Sequence, residues 1–222
     1  MSPSLFLLIG LLMKYKNQIK RKLTVAPTAS VMTVAEAKAR LAIETTEDDA
    51  LIQVMINSAE DFCQQYTGRF FIEQTAEYSL DELQIDLKYL EIPSHQATNI
   101  TSITYTDSSD LLITASLSDF FIDYEGMPLR VAPVNTWPTI RKKGFNNMTF
   151  TVVEGFGATS ASVPDAIINA VALLVGHQYK NRESVVVGTT ATTLPMGVTA
   201  FLDKYRVVYR NDYGYQVAGV SQ

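Results

Sequence analysis

Apolar and polar positions recur along this chain with two different periods, and the changes of period divide it. The first helical stretch is "TVAEAKARL". Thr33 followed by Glu36 is a capping box, each side chain satisfying a free amide of the first turn, and Val34, Ala37 and Leu41 share one face. A second helix is expected in "ETTEDDALIQVMINSAEDFCQQYTGR", with Thr46 as its N-cap and Glu47, Asp48 and Asp49 complementing the positive end of the dipole. Leu51, Ile52, Met55, Ala59, Phe62, Cys63 and Tyr66 form its apolar stripe, and Gly68 ends it as a left-handed cap.

From Phe70 to Gly157 the period falls to two. "IEQTAEYSL" sets Ile72, Ala76, Tyr78 and Leu80 on one face, and "IDLKYLEI" alternates through Ile85, Leu87 and Tyr89. "ITSITYTD", "FFIDYEG", "LRVAP" and "MTFTVVEGFG" continue the pattern between Pro, Gly, Asn and Asp breaks. Strands grouped between helices, not alternating with them, predict an α+β fold with a small antiparallel lobe. Helical periodicity resumes at Pro164, and "PDAIINAVALLVGHQYKNRE" is apolar nearly all round, so it requires cover on more than one face, from the β lobe or from a neighbouring subunit. A flexible loop, "VVVGTTATT", and a last short helix in "LPMGVTAFLDKYR" follow. The expected organisation is an N-terminal extension 1–22, a helical part 23–69, an inserted β lobe 70–157, a C-terminal helical part 158–206 and a tail 207–222. There are about four helices in all.

Charge modifies this picture at one end. Net charge is −5, but Lys14, Lys16, Lys20, Arg21 and Lys22 lie in a stretch without an acid. Setting residues 1–22 aside removes five of the 18 basic side chains and none of the 23 acids, leaving a body of −10. Such a body repels phosphates and suits a wall past which DNA slides. Residues 5–13 are apolar but shorter than the ~20 residues a bilayer span needs. Their positive charges follow the apolar run, whereas a signal peptide places them before it. Met13 is the expected start, and no membrane association is expected.

Candidate chemistry is sparse. One cysteine, Cys63, and two histidines, His95 and His177, are poor material for a metal site. Ser184, His177 and Asp165 are the obvious catalytic trio, yet on a helix His177 and Ser184 are separated by about 10 Å along the axis, and Asp165 lies three turns back. Cys63 sits in an apolar stripe, where a buried, inert thiol is expected. No catalytic residue, cofactor or metal site is assigned. The alternatives to a structural subunit are a small hydrolase using Cys63 or His177, and a monomeric module whose β lobe holds a ligand.

Five stretches in order, "MTVAEAKARLAI", "EDDALIQVMINSAEDFCQQYTGR", "ITSITYTD", "VPDAIINAVALLVGHQYKNRE" and "LPMGVTAFLDKYR", resemble the head–tail connector (adaptor) proteins of tailed bacteriophages. The likeness is to the larger members, which carry a β insertion between their helices. The chain departs from that pattern at Ser94, His95 and Gln96, where the family commonly has a proline-rich stretch. The resemblance implies a non-enzymatic virion protein, assembled in the host cytoplasm into a homo-oligomeric ring of about twelve copies at the head–tail junction. That ring lies beneath the portal protein, extends the DNA channel without sequence-specific binding and offers a surface to the next tail component. On this reading Leu173, Leu174, His177, Tyr179, Arg182 and Glu183 are expected at the subunit contact, and Tyr209, Tyr213 and Tyr215 at the portal, since tyrosines supply large contact area at low entropy cost.

Overall fold

The computed structural model describes residues 19–83, 86–181, 196–211 and 214–217. The described residues divide into two compact units, one made of those within 1–26 and 74–154, the other of those within 27–73 and 155–222.

The first unit is antiparallel β throughout. A five-stranded sheet takes the order β1 (Lys20–Val25), β2 (Gln74–Leu80), β8 (Met148–Glu154), β4 (Ala97–Thr106), β5 (Leu112–Ala115). A three-stranded sheet takes the order β3 (Leu90–Ile92), β7 (Leu129–Pro133), β6 (Phe120–Asp123). The alternation read from the sequence is realised most fully in β2 and β8, whose inward positions are Gln74, Ala76, Tyr78 and Leu80 on one and Met148, Phe150, Val152 and Glu154 on the other. The two strands pair over their full length, Gln74 opposite Glu154 and Leu80 opposite Met148. The core beneath them holds Tyr78, Ile100, Ile103, Leu129, Phe150 and Trp137.

The structure departs from expectation at β1. Residues 20–22, assigned from the sequence to an extension outside the fold, form a strand on the sheet edge with Lys20 opposite Ser79 and Lys22 opposite Glu77. All six of its residues are exposed, so it has no alternating signal to read. "IDLKYLEI" is likewise strand only over Leu90–Ile92, and β5 went unpredicted.

The second unit is helical: α1 (Val34–Leu41), α2 (Asp49–Thr67), α3 (Asp165–Lys180) and α4 (Met196–Leu202), the four α-helices among the described residues. Thr33 and Glu36 close the expected capping box, with Glu36 accepting from the Thr33 amide at 2.7 Å. Gly68 ends α2 at φ +70°. Thr46 does not cap α2. Its carbonyl instead accepts from the Asp49 amide in a preceding turn, and Asp48 takes the cap position. The core gathers Ile52, Ile56, Ala59 and Cys63 from α2, Ile167, Ala170, Val171 and Leu174 from α3, and Val198 and Leu202 from α4. Leu51, placed in the α2 stripe from the sequence, is 38 % exposed, and the buried face rotates to include Ile56 and Glu60. A hairpin, β9 (Val208–Asn211) with β10 (Gly214–Val217), closes the described chain.

Candidate functional site

Helix α3 carried most of the expected contact surface, and its apolar circumference is largely consumed inside its own unit. It packs on α1, α2 and α4. Leu174 is 5 % exposed and packs into the core of its own unit. Tyr179 packs against that core and donates its hydroxyl to Asp48 at 2.7 Å. Leu173 is the large apolar residue that remains, 44 % exposed. His177 is half-buried at the helix end, where Asn181 donates its side-chain amide to the His177 carbonyl at 2.9 Å. Arg182 and Glu183 lie outside the described residues, as does Ser184.

Cys63 is fully buried. Burial, with a smaller contribution from the Glu60 charge, pushes its thiol up to about 12, so it is protonated and unreactive at neutral pH. Glu60, one turn before it, is itself held above the usual carboxylate range by burial, although the Val31 amide donates to it at 3.2 Å. Among the described residues no three His, Cys, Asp or Glu side chains gather as a metal group. No helix among them is long and apolar enough to cross a membrane.

The chain after α4 is fastened to the end of α2 before it reaches the hairpin. Tyr66 donates to Asp203 at 2.6 Å, Arg69 donates to the Tyr205 carbonyl at 2.7 Å, and the Val207 amide donates to the Thr67 carbonyl at 2.8 Å. The Arg206 guanidinium lies 4.4 Å from the Tyr66 ring centroid, a cation–π contact. Tyr209 and Tyr215 stand in β9 and β10, with Tyr209 opposite Gln216 and Tyr215 opposite Arg210. Tyr213 lies outside the described residues.

The strongest electrostatic feature was missed from the sequence. Glu154, with no exposed surface, accepts from Arg21 Nε at 3.0 Å and Nη2 at 2.5 Å, from Tyr78 at 2.6 Å and from Ser94 at 2.8 Å. Burial alone would lower the Arg21 guanidinium, but the Glu154 carboxylate outweighs it and holds Arg21 above its ordinary value. Burial, then Glu154, raises the Tyr78 phenol. Glu154 ties the edge strand β1 to β8, and Ser94, where the sequence departs from the connector pattern, supplies one of its hydroxyls. One signal was available: a charge at an inward position of an alternating strand must find a partner.

A model of the head completion protein family matches residues 30–208. No curated protein matches significantly. Among solved structures the chain is similar to one from the neck of an empty gene transfer agent particle computed with C6 symmetry (TM-score 0.71, 18% identity, 87% of this chain and 98% of that one). A chain from the virion of the native gene transfer agent particle gives a TM-score of 0.70 at 18% identity over 86% of this chain and 97% of that one. A chain from the native neck computed with C12 symmetry gives 0.61 at 17% identity, covering 86% and 98%.

Proposed function

The chain belongs to the head completion protein family, and from that premise we propose that it is a structural, non-enzymatic subunit of the head–tail junction of a phage-like particle. About twelve copies form a ring beneath the portal, extending the DNA channel and receiving the next tail component. The carrying observation is the family match over residues 30–208. The likeness to neck chains along nearly their whole length supports it, as does their description with sixfold and twelvefold symmetry. The body is acidic even with Lys20, Arg21 and Lys22 counted in it, since residues 19–222 hold 16 basic and 23 acidic side chains, a net −7, and this fits a channel wall that DNA passes without adhering. The buried, protonated Cys63 favours no nucleophilic chemistry.

Within that ring, the exposed Leu173 and the neighbouring His177 mark one contact with an adjacent subunit, and the tail 207–222 docks on the portal from the base fastened to α2. The test is particle assembly. Purified full-length chain should bind portal-bearing heads and appear as a ring at the neck, and heads made without it should fail to join tails. A chain that binds neither heads nor tails, and whose loss leaves infectious particles, refutes the proposal. Truncation after Arg210 should leave subunit folding intact and abolish portal binding; retained binding removes the docking role of the tail.

A further inference from the structure

Two strips of opposite charge each carry exposed large apolar residues. The first lies at one end of the five-stranded sheet. The turn between β4 and β5 and the loop before β8 are locked side by side there. The Arg141 amide donates to the Thr106 carbonyl at 2.8 Å, Asp107 bridges to Ile140, and Arg141 pairs with Asp110 at 3.0 Å. Leu111, at 62 %, and Leu112, at 69 % exposure, stand at the β5 edge of this end, and Phe145, at 76 %, stands toward the β1 edge beside Lys20. Lys142 and Lys143 rim them, both exposed and in no ion pair among the described residues. Lys20 Nζ lies 5.0 Å from the Phe145 ring centroid.

The second strip runs along α2 and the turn before it. Leu51, Val54 and Asp61 recur at helical spacing on the face away from the core, and Glu44 and Glu47 stand exposed in the segment that leads into the helix. Val54 is 64 % and Leu51 38 % exposed. Glu44, Glu47 and Asp61 are exposed and form no ion pair among the described residues.

We propose that these strips meet between copies: the Leu111/Leu112/Phe145 tip of one subunit, with Lys142 and Lys143, docks on the Leu51/Val54 face of the next, with Glu44, Glu47 and Asp61. The inference rests on the ring-forming reading and names its contact. Charge complementarity selects a second copy as the occupant, because a strip that combines exposed apolar residues with lysines fits one of the same chain that combines them with carboxylates. Nucleic acid is the weaker match. Lys20, Lys22 and Arg141 are already paired with Asp81, Glu77 and Asp110, which leaves Lys142 and Lys143 as the strip's uncommitted cations among the described residues. Two phosphate contacts give little affinity at physiological salt, and Leu111, Leu112 and Phe145 have no use for phosphate. Because the two strips are different surfaces, the contact is heterologous, the kind that propagates from copy to copy and forms a ring when its rotation closes. Exposed aromatic residues on such a surface are the usual energetic anchors.

The test uses the full chain. The variant Lys142→Glu/Lys143→Glu/Phe145→Ala changes only exposed side chains, and the fluorescence of Trp137, buried in the same unit, reports whether the fold is kept. Sedimentation should show at least a tenfold higher concentration needed for assembly than in the wild type, with Trp137 unfolding unchanged. Glu44→Lys/Glu47→Lys should be defective alone and should co-assemble with Lys142→Glu/Lys143→Glu. A second measurement does not depend on variant folding: the double variant Phe145→Cys/Val54→Cys should give a ladder of oxidatively crosslinked oligomers that neither single variant gives, the native Cys63 being buried. Assembly of the triple variant at wild-type concentrations overturns this contact and leaves the ring standing. So does normal assembly with lost DNA retention, which would make the strip a nucleic-acid surface. A wild-type chain monomeric at every concentration, alone and on portal-bearing heads, overturns the contact and the ring together.

Discussion

Replacing Arg21 with alanine separates a strand that belongs to the fold from one that merely lies on it. Glu154 has no exposed side-chain surface, whereas the Arg21 side chain is 29 % exposed. Removing one partner of a buried ion pair costs about 3–5 kcal/mol, because the other is left as an uncompensated charge. Tyr78 and Ser94 still donate to Glu154 and water reaches part of the vacated site, so the lower end, about 3 kcal/mol, is expected. The reverse change, Glu154→Gln, should cost less, about 1 kcal/mol, since a partly exposed guanidinium can turn to water and the amide oxygen still accepts from Tyr78. Trp137, the chain's single tryptophan, is buried in the same unit and donates to the Leu87 carbonyl, so its fluorescence in urea follows this unit. With a slope of about 1–3 kcal/mol per molar, the Arg21→Ala midpoint should fall by about 1–3 M. Hydrogen exchange over Lys20–Val25 should accelerate with it, and the double variant should cost less than the two single changes added together. An Arg21→Ala cost under about 1 kcal/mol, or a Glu154→Gln cost exceeding it, would refute the reasoning.

Burial raises Glu60 above the ordinary carboxylate range, so the folded state holds its proton more tightly than the unfolded state does. The stability this contributes is fully present below the ordinary carboxylate range and is lost as pH rises through the raised value. Glu60→Gln should therefore increase the melting temperature at pH 7, with the gain shrinking toward pH 4; a variant equally or less stable at pH 7 contradicts this. Cys63 should resist thiol reagents at pH 8 in the native chain and react at once in denaturant, and fast native labelling would show that α2 opens. Gly155 has φ +130°, and a Cβ there would lie 2.7 Å from the Ile72 carbonyl oxygen. Gly155→Ala should cost about 1–3 kcal/mol or more in thermal unfolding, and an unchanged melt would mean that the backbone relaxes freely.

Periodicity carried the fold class because burial on one face leaves its period in the sequence. The inward row of β2 and the capping box at Thr33 were legible in that way, and five ordered segments were enough to indicate the family. What stayed hidden had no periodic burial to report it. β1 is exposed on all six residues and is held through Arg21 and Glu154, which lie 133 positions apart. Likewise, the apolar circumference of α3 announced a need for cover, but a one-dimensional pattern does not say what provides it. Only the tertiary structure assigned that cover to α1, α2 and α4, burying Leu174 and leaving Leu173 outside. Local sequence thus determined which residues must leave water, since that depends on the side chains and their spacing. Which distant surface receives them, and which charges must then be neutralised, depends on contacts between segments far apart in the chain, and these exist only once it has folded.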